Sequence, residues 1–380
     1  MTSLEEYTSS LTSSLVRINS ENPPGRETEI ASYVSERLAE LGLKAWVDRF
    51  DERANAIGVY ESGEGHSLML MTHLDTVPAG ERDLWRIPPF SGEIRDGRVY
   101  GRGSADAKGC LASMLGALKL LADEGWPIKG KLILAAVADE EAKNRGVRRL
   151  LAQKISAEYA VVGEPTSLQV CSAHKGTLLL RVRFIGRSAH SSQPRKGINA
   201  IYAASDFALR VEKLGERLKV RHRLLGRPSI ALTMLRGGIK ENIIPDSCEL
   251  VLDRRTLPNE KLERIIKELK RLAEKVAKAR KVKAEIGIVR YLPAAETSTR
   301  SRIVVAAVRA CSKILGERAR PRGFRATCDM CFLVHGAKIP SVILGPGSLL
   351  QAHTIDEWVS IDELVKAAKI YREIVAEILR

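Results

Sequence analysis

Residues 67–78 read SLMLMTHLDTVP, an unbroken apolar run that stops at a histidine and, two residues on, an aspartate. Leu68 to Met71 offer no polar side chain to either face of a pleat, which predicts a strand buried on both sides, as in a sheet covered by helices. The chain repeats that grammar on either side. KLILAAV (131–137) and YAVV (159–162) predict two more buried strands. Between the first two, ASMLGALKLLA (112–122) predicts an apolar helix that opens from a glycine-rich loop, 101–109. Alternating helices and short apolar strands over residues 1–165 give an α/β fold: a central mixed sheet flanked by helices.

From about His174 the texture changes. TLLLRVRF (177–184), SIALTML (229–235), CELVLD (248–253) and AEIGIV (284–289) alternate apolar with polar, and basic amphipathic helices are predicted at about 198–215 and 259–280. Strand, helix, two strands, helix, strand is the order of a ferredoxin-like α+β sandwich. The first texture returns near Ser298, with a helix over 303–315 and a strand at SVIL (341–344). The reading is therefore a discontinuous domain, 1–173 and 293–380, interrupted by an inserted domain, 174–292. At 380 residues two domains are expected.

Composition narrows the class. With 44% hydrophobic and 28% charged residues the chain is an ordinary globular protein. The N-terminus has no basic start followed by an apolar run, and no stretch of about 18 apolar residues occurs, so a cytoplasmic location without a membrane partner is expected. Six cysteines are scattered; Cys328 and Cys331 form one C-x-x-C, read as free buried thiols or, in a hyperthermophile, a disulfide. Seven Asn and four Gln against 61 Lys and Arg lean towards a thermophilic source. The net charge of +15 raises nucleic-acid binding as a rival function. The densest basic stretch, 261–283, however, carries Leu262, Ile265, Ile266, Leu269, Leu272 and Val276 at helical spacing, the pattern of a solvated helix face, and no nucleic-acid partner is expected.

Acids and imidazoles gather where strands end, the place open α/β sheets reserve for their sites. They are His73 and Asp75; Asp106 at the centre of GRGSADAKG (101–109); Asp139, Glu140 and Glu141; Glu164 in GEPT (163–166); and His353 with Glu357 after the last strand. The 101–109 loop lacks the spacing of a phosphate-binding Walker loop, and Asp106 at its centre suits a cation better than an anion. Any one of these residues alone could be a hydrogen-bonded polar group. Five such groups at five strand ends form a joint pattern that points to a metal site.

The runs THLDTVP (72–78), YGRGSADAKG (100–109), DEE (139–141), GEPT (163–166), GRSAHSSQPRKGINA (186–200) and Ala352-His353 resemble the family of acetylornithine deacetylase, succinyl-diaminopimelate desuccinylase, aminoacylase and glutamate carboxypeptidase, in order and over nearly the whole chain. The resemblance implies two divalent metals, zinc first and cobalt or manganese as substitutes. One would be bound by His73, Asp106 and Glu164, the other by Asp106, Glu141 and His353. It implies that Asp75 orients His73 and that Glu140 is the general base in hydrolysis of an N-acyl-amino acid, with a carboxypeptidase or dipeptidase as the alternative. It also implies that the inserted domain dimerises the chain, that His190 reaches the other subunit's site to steady the oxyanion, and that Asn242 and Arg255 bind a substrate carboxylate, with Arg254 as the competing arginine.

Overall fold

The computed structural model describes residues 2–380. The chain divides into two units: one running to Ala173 and comprising also Glu296–Phe324 and Cys328–Arg380, the other His174–Ala295 with Arg325–Thr327. The second unit thus ends three residues beyond the 292 expected from sequence. It also takes in Arg325–Thr327, where the Thr327 hydroxyl donates to Lys175 O and meets the Thr177 hydroxyl, both at 2.7 Å.

The first unit is built on a nine-stranded mixed sheet. The strand Ser67–His73 lies inside it, parallel both to Gly130–Val137 and to Tyr159–Val162, which in turn runs parallel to Ser341–Ile343. Antiparallel strands Arg53–Ser62 and Lys44–Phe50 extend it on one side. Leu68 to Met71 are completely buried, as their unbroken apolarity requires. The helices Leu4–Arg17, Gly109–Asp123, Arg302–Leu315 and Ile361–Ile378 contribute to the main core cluster with Leu68, Leu70 and Leu134 of the sheet. Parallel strands share a direction, so Ser67–His73, Gly130–Val137, Tyr159–Val162 and Ser341–Ile343 all deliver their C-terminal loops to one edge.

Close approach of helix to strand is enforced at Gly163. A Cβ there would lie 2.8 Å from Met114 Cε and 2.9 Å from Cys110 Cβ, both on the Gly109–Asp123 helix. The Gly163 amide donates to Met71 O at 2.7 Å and its carbonyl accepts from the Thr72 hydroxyl at 2.8 Å, so the backbone cannot back away from the helix.

The second unit is a four-stranded antiparallel sheet ordered Ser229–Gly237, Ser247–Thr256, Gly176–Ile185, Lys283–Leu292, with helices Ala200–Glu216 and Leu262–Arg280. That order is the ferredoxin-like one. Alternation along Ser247–Thr256 is complete: Cys248, Leu250 and Leu252 go to the core and the intervening residues do not.

The charge of the chain is divided as sharply as its fold. Residues 174–295 hold 28 Lys and Arg against 12 Asp and Glu, while the remainder holds 33 against 34. The net positive charge therefore belongs to the inserted unit.

Gly163→Ala is expected to destabilise the protein by about 1–3 kcal/mol, the usual cost of overpacking a filled interior. Thermal unfolding of the metal-free protein checks it, and an unchanged midpoint would contradict so tight a contact between helix and strand.

Candidate metal centre and active site

Strand ends and the turns after them position each side chain. His73 closes its strand, and its Nδ1 donates to the Asp75 backbone carbonyl at 2.8 Å, which fixes the tautomer and leaves Nε2 as the coordinating atom. Nε2 points to Asp106 Oδ1 at 3.1 Å. Asp106 Oδ2 lies 3.3 Å from His353 Nε2, and His353 Nε2 lies 2.9 Å from Glu141 Oε1. The ligand atoms of His73, Asp106 and Glu164 fall within 4.8 Å of one another, and so do those of Asp106, Glu141 and His353. Asp106 is the member common to both groups.

The sequence reading of Asp75 needs correction. Its carboxylate was expected to hold the His73 ring, yet Oδ1 stands 3.8 Å from Nδ1, and the backbone oxygen makes that bond instead. The carboxylate is occupied elsewhere. It accepts from the Glu140 amide at 3.0 Å, the Glu141 amide at 3.1 Å and Asn22 Nδ2 at 2.8 Å. A two-residue spacing cannot distinguish a side-chain from a main-chain acceptor, because both lie within reach of the same imidazole.

The three acids after Val137 also behave differently from a pleated strand, in which neighbours would alternate faces. The strand ends at Val137 and the acids occupy a turn. Asp139 adopts a left-handed backbone, φ +66°, and its carboxylate is taken up by Arg145 Nε (2.8 Å), Arg53 Nη1 (3.1 Å) and Asn22 Nδ2 (3.0 Å). Asp139 is thus a structural anchor, and the turn it fixes leaves Glu140 and Glu141 to the site. Asn144 Nδ2 bridges from the Glu140 carbonyl, 3.1 Å, to Asp329 Oδ1, 2.9 Å.

Asp329, Asn144, Asn22, Arg102 and the carboxylate of Glu357 had no role assigned from sequence. Asp329 was masked by the two cysteines beside it, which drew the reading towards thiol chemistry. All six cysteines are free and buried. Burial, reinforced by the negative charge of Glu164 and Glu140, raises the Cys328 thiol well above its ordinary pKa and keeps it protonated.

The electrostatics are those of a cation site. Burial raises the pKa of Glu164 and Glu140 well above the usual carboxylate range, with Asp106 adding to the first and Asp329 and Glu164 to the second. Burial likewise raises Glu141, against the opposing hydrogen bond of His353. Asp106 goes the other way: burial is outweighed by hydrogen bonds from His353 and His73. Hydrogen bonds to Asp106 and Glu141 push His353 up to about 10, and His73 is raised despite complete burial, chiefly by its bond to Asp106. Protons on the imidazoles thus stand where cations would. Two imidazoles and three carboxylates in two overlapping groups form a donor set suited to two divalent metals of the zinc type.

The inserted unit holds the other expected residues. His190 is exposed, its Nδ1 2.7 Å from the Ser192 hydroxyl, and it forms a bridge with Ile243, so it neighbours Asn242, whose carbonyl accepts from the Ser191 amide at 3.0 Å. Arg254 is buried and committed, with Nη2 2.6 Å from Glu260 Oε1 and Nη1 2.6 Å from Arg255 O. Arg255 lies on the opposite face, more open, held by Asp253 and by Thr177 Oγ1 at 2.9 Å. A groove of about 850 Å³ runs between the two helices of this unit, lined by Arg210, Lys213, Arg264, Arg271 and Lys275 among others. It contains none of the candidate catalytic, metal-binding or substrate-binding residues.

Residues 69–377 match the description "Peptidase family M20/M25/M40". The chain belongs to this family. Acetylornithine deacetylase from Proteus mirabilis is 33% identical over 335 residues, covering 85% of this chain and 83% of that one, and the enzyme of the same name from Edwardsiella ictaluri is 31% identical over 353, covering 89% of this chain and 88% of that one. Among solved structures, aminopeptidase PepT from Bacillus cereus superposes with a TM-score of 0.81 at 23% identity, covering 99% of both chains. An M20 family metallo-carboxypeptidase from Sulfolobus solfataricus does so at 0.81 and 20%, covering 98% of this chain and 99% of that one. As a member of M20/M25/M40 the chain is a metal-dependent hydrolase of amide bonds. No described helix is long and apolar enough to cross a membrane.

A metal ligand imidazole must be neutral, so metal uptake has to expel the protons that the acids hold on His353 and His73. Zinc titration of the metal-free protein at about pH 7, in buffers of differing ionisation enthalpy, is expected to show release of roughly one or more protons per chain and tighter binding as pH rises. Uptake without proton release would contradict protonated imidazoles in the metal-free site.

Proposed function

We propose that this family member is a deacylase of the acetylornithine deacetylase and succinyl-diaminopimelate desuccinylase type, hydrolysing the amide of an N-acyl-amino acid in the cytoplasm as a homodimer with zinc. The observation that carries the reading is the shared carboxylate of Asp106 between two ligand groups, beside the buried Glu140. The sequence relatives named acetylornithine deacetylase favour a deacylase, whereas peptidases resemble the chain at lower identity.

In this reading His73, Asp106 and Glu164 would hold one metal and Asp106, Glu141 and His353 the second. The chemistry supplied by two bound divalent cations is polarisation of the amide carbonyl and activation of water. Glu140 takes the proton from the attacking water as the new carbon–oxygen bond forms. It then returns that proton to the amide nitrogen as the carbon–nitrogen bond breaks, giving a free carboxylate and an amine. The Asp75 carboxylate, bonded to the Glu140 and Glu141 amides, positions base and ligand together. His190, supplied by the partner subunit, donates to the oxyanion. Asn242 and Arg255 bind the substrate carboxylate. Arg255 is favoured over Arg254 because its side chain, paired with Asp253 and Thr177, lies on the open face, whereas that of Arg254 is buried against Glu260.

A panel of N-acetylornithine, N-succinyl-diaminopimelate and dipeptides, assayed by release of free amine with zinc or cobalt, tests the reading. Turnover of an acylated amino acid above every dipeptide is expected, and the reverse order would make the chain a peptidase. Glu140→Gln should lower kcat by about 10²–10⁴-fold while zinc content stays at the wild-type level; undiminished turnover would remove Glu140 from the mechanism.

His190→Ala should lower kcat with two metals per chain retained, and loss of metal instead would refute its assignment to the oxyanion.

A further inference from the structure

The two ligand groups are held in place by different means. His73 is the last residue of a strand paired on both sides, and Glu164 lies one residue beyond Tyr159–Val162, after Gly163 whose amide bonds Met71 O, so the sheet itself places them. Asp106 and His353 have no such support. Asp106 sits in the turn Ser104–Lys108, where it and Ala107 leave helical geometry (φ −126°, ψ 91° and φ −133°, ψ 30°). His353 lies in a loop with a left-handed backbone, φ +64°, and its side chain is half exposed.

A buried ion pair spans these two segments. Arg102 Nη1 lies 2.5 Å from Glu357 Oε2, and the two residues are 3% and 0% exposed. The other oxygen of Glu357 accepts from the Ala105 amide at 3.0 Å and the Asp106 amide at 3.1 Å, the donors that the turn leaves without a helical acceptor. Arg102 Nη1 also donates to Thr354 O, 3.2 Å away, on the residue after His353, and the Glu357 carbonyl accepts from the Gly101 amide at 2.8 Å. The guanidinium packs over the Trp85 ring, 5.1 Å from its centroid. Buried ion pairs are often replaceable by apolar residues without loss of stability. An apolar pair here could not accept the Ala105 and Asp106 amides, so what the charges supply is position.

Resting on the two-metal reading of the site, we infer that Arg102 and Glu357 are positioning residues: a brace locking the His353 loop to the Asp106 turn and thereby shaping the second metal site, Asp106, Glu141 and His353. The first site depends on the brace only through Asp106, which His73 also holds.

Metal-free wild type, Arg102→Met, Glu357→Leu and the double variant would be titrated with Co²⁺ by calorimetry and visible absorption, with circular dichroism as the check on folding. Each single change leaves a buried charge alone and can unfold the chain, whereas the double variant leaves none. Wild type is expected to take two equivalents. In the variants one equivalent should bind as in wild type and the other be weakened about 10–100-fold. The double variant should be no worse than the weaker single, since the pair acts as one unit, and Arg102→Lys should restore part of the loss. A folded double variant that binds both equivalents with wild-type affinity overturns the brace, as does equal weakening of both. Wild type that binds fewer than two equivalents overturns the two-metal reading itself, and the brace with it.

Discussion

Asp106 touches two imidazoles at once, His73 at 3.1 Å and His353 at 3.3 Å, and this one buried carboxylate is the constraint on which the surrounding structure depends. Glu140 and Glu164 are buried beside it and Glu141 nearly so, and no lysine or arginine contributes among the leading influences on their ionisation. Acids drawn together in a low dielectric repel one another and lose hydration, and such a cluster persists only with protons or cations to balance it. Without metal, protons fill that role. The same repulsion that makes the cluster costly gives divalent ions their affinity.

Two tiers of acid serve the cluster. Glu140, Glu141, Glu164 and Asp106 turn their carboxylates inward. Asp75, Asp139 and Glu357 use theirs to hold backbone amides or arginines, fixing the turns on which the first group stands. Asp75 and Glu357 do so in the same way, each accepting from two consecutive amides of a ligand-bearing segment. An acid-rich segment therefore cannot be apportioned between chemistry and support by residue type. Asp139 and Glu140 are adjacent and chemically alike, yet one is neutralised by Arg53 and Arg145 and the other is buried among the carboxylates of the site.

The separation of charge between units bears on the rival functions raised by composition. A net charge of +15 spread over the whole surface would favour polyanions, but the unit with the metal ligands is almost neutral, and the excess lies on the inserted unit. Much of it lines the helices Ala200–Glu216 and Leu262–Arg280, above apolar residues that form that unit's core. The helices are amphipathic because they cover a sheet, which accounts for the basic stretch without a ligand.

Sequence by itself determined the strands, since an apolar run such as Leu68–Met71 can only be buried and alternation such as Cys248–Leu252 can only have one wet face. It marked the candidate ligands too, because imidazoles and acids recurring at or after strand ends are drawn towards one edge when those strands are parallel. Tertiary structure alone decided what each polar group does. Whether the oxygen facing His73 is the side chain or backbone of Asp75, that Arg254 pairs with Glu260 and Arg255 with Asp253, and that Glu357 serves Asp106 some 250 residues away depend on which partners folding brings within about 3 Å. Distances of that order are set by packing between segments remote in the chain, and local sequence carries no record of them.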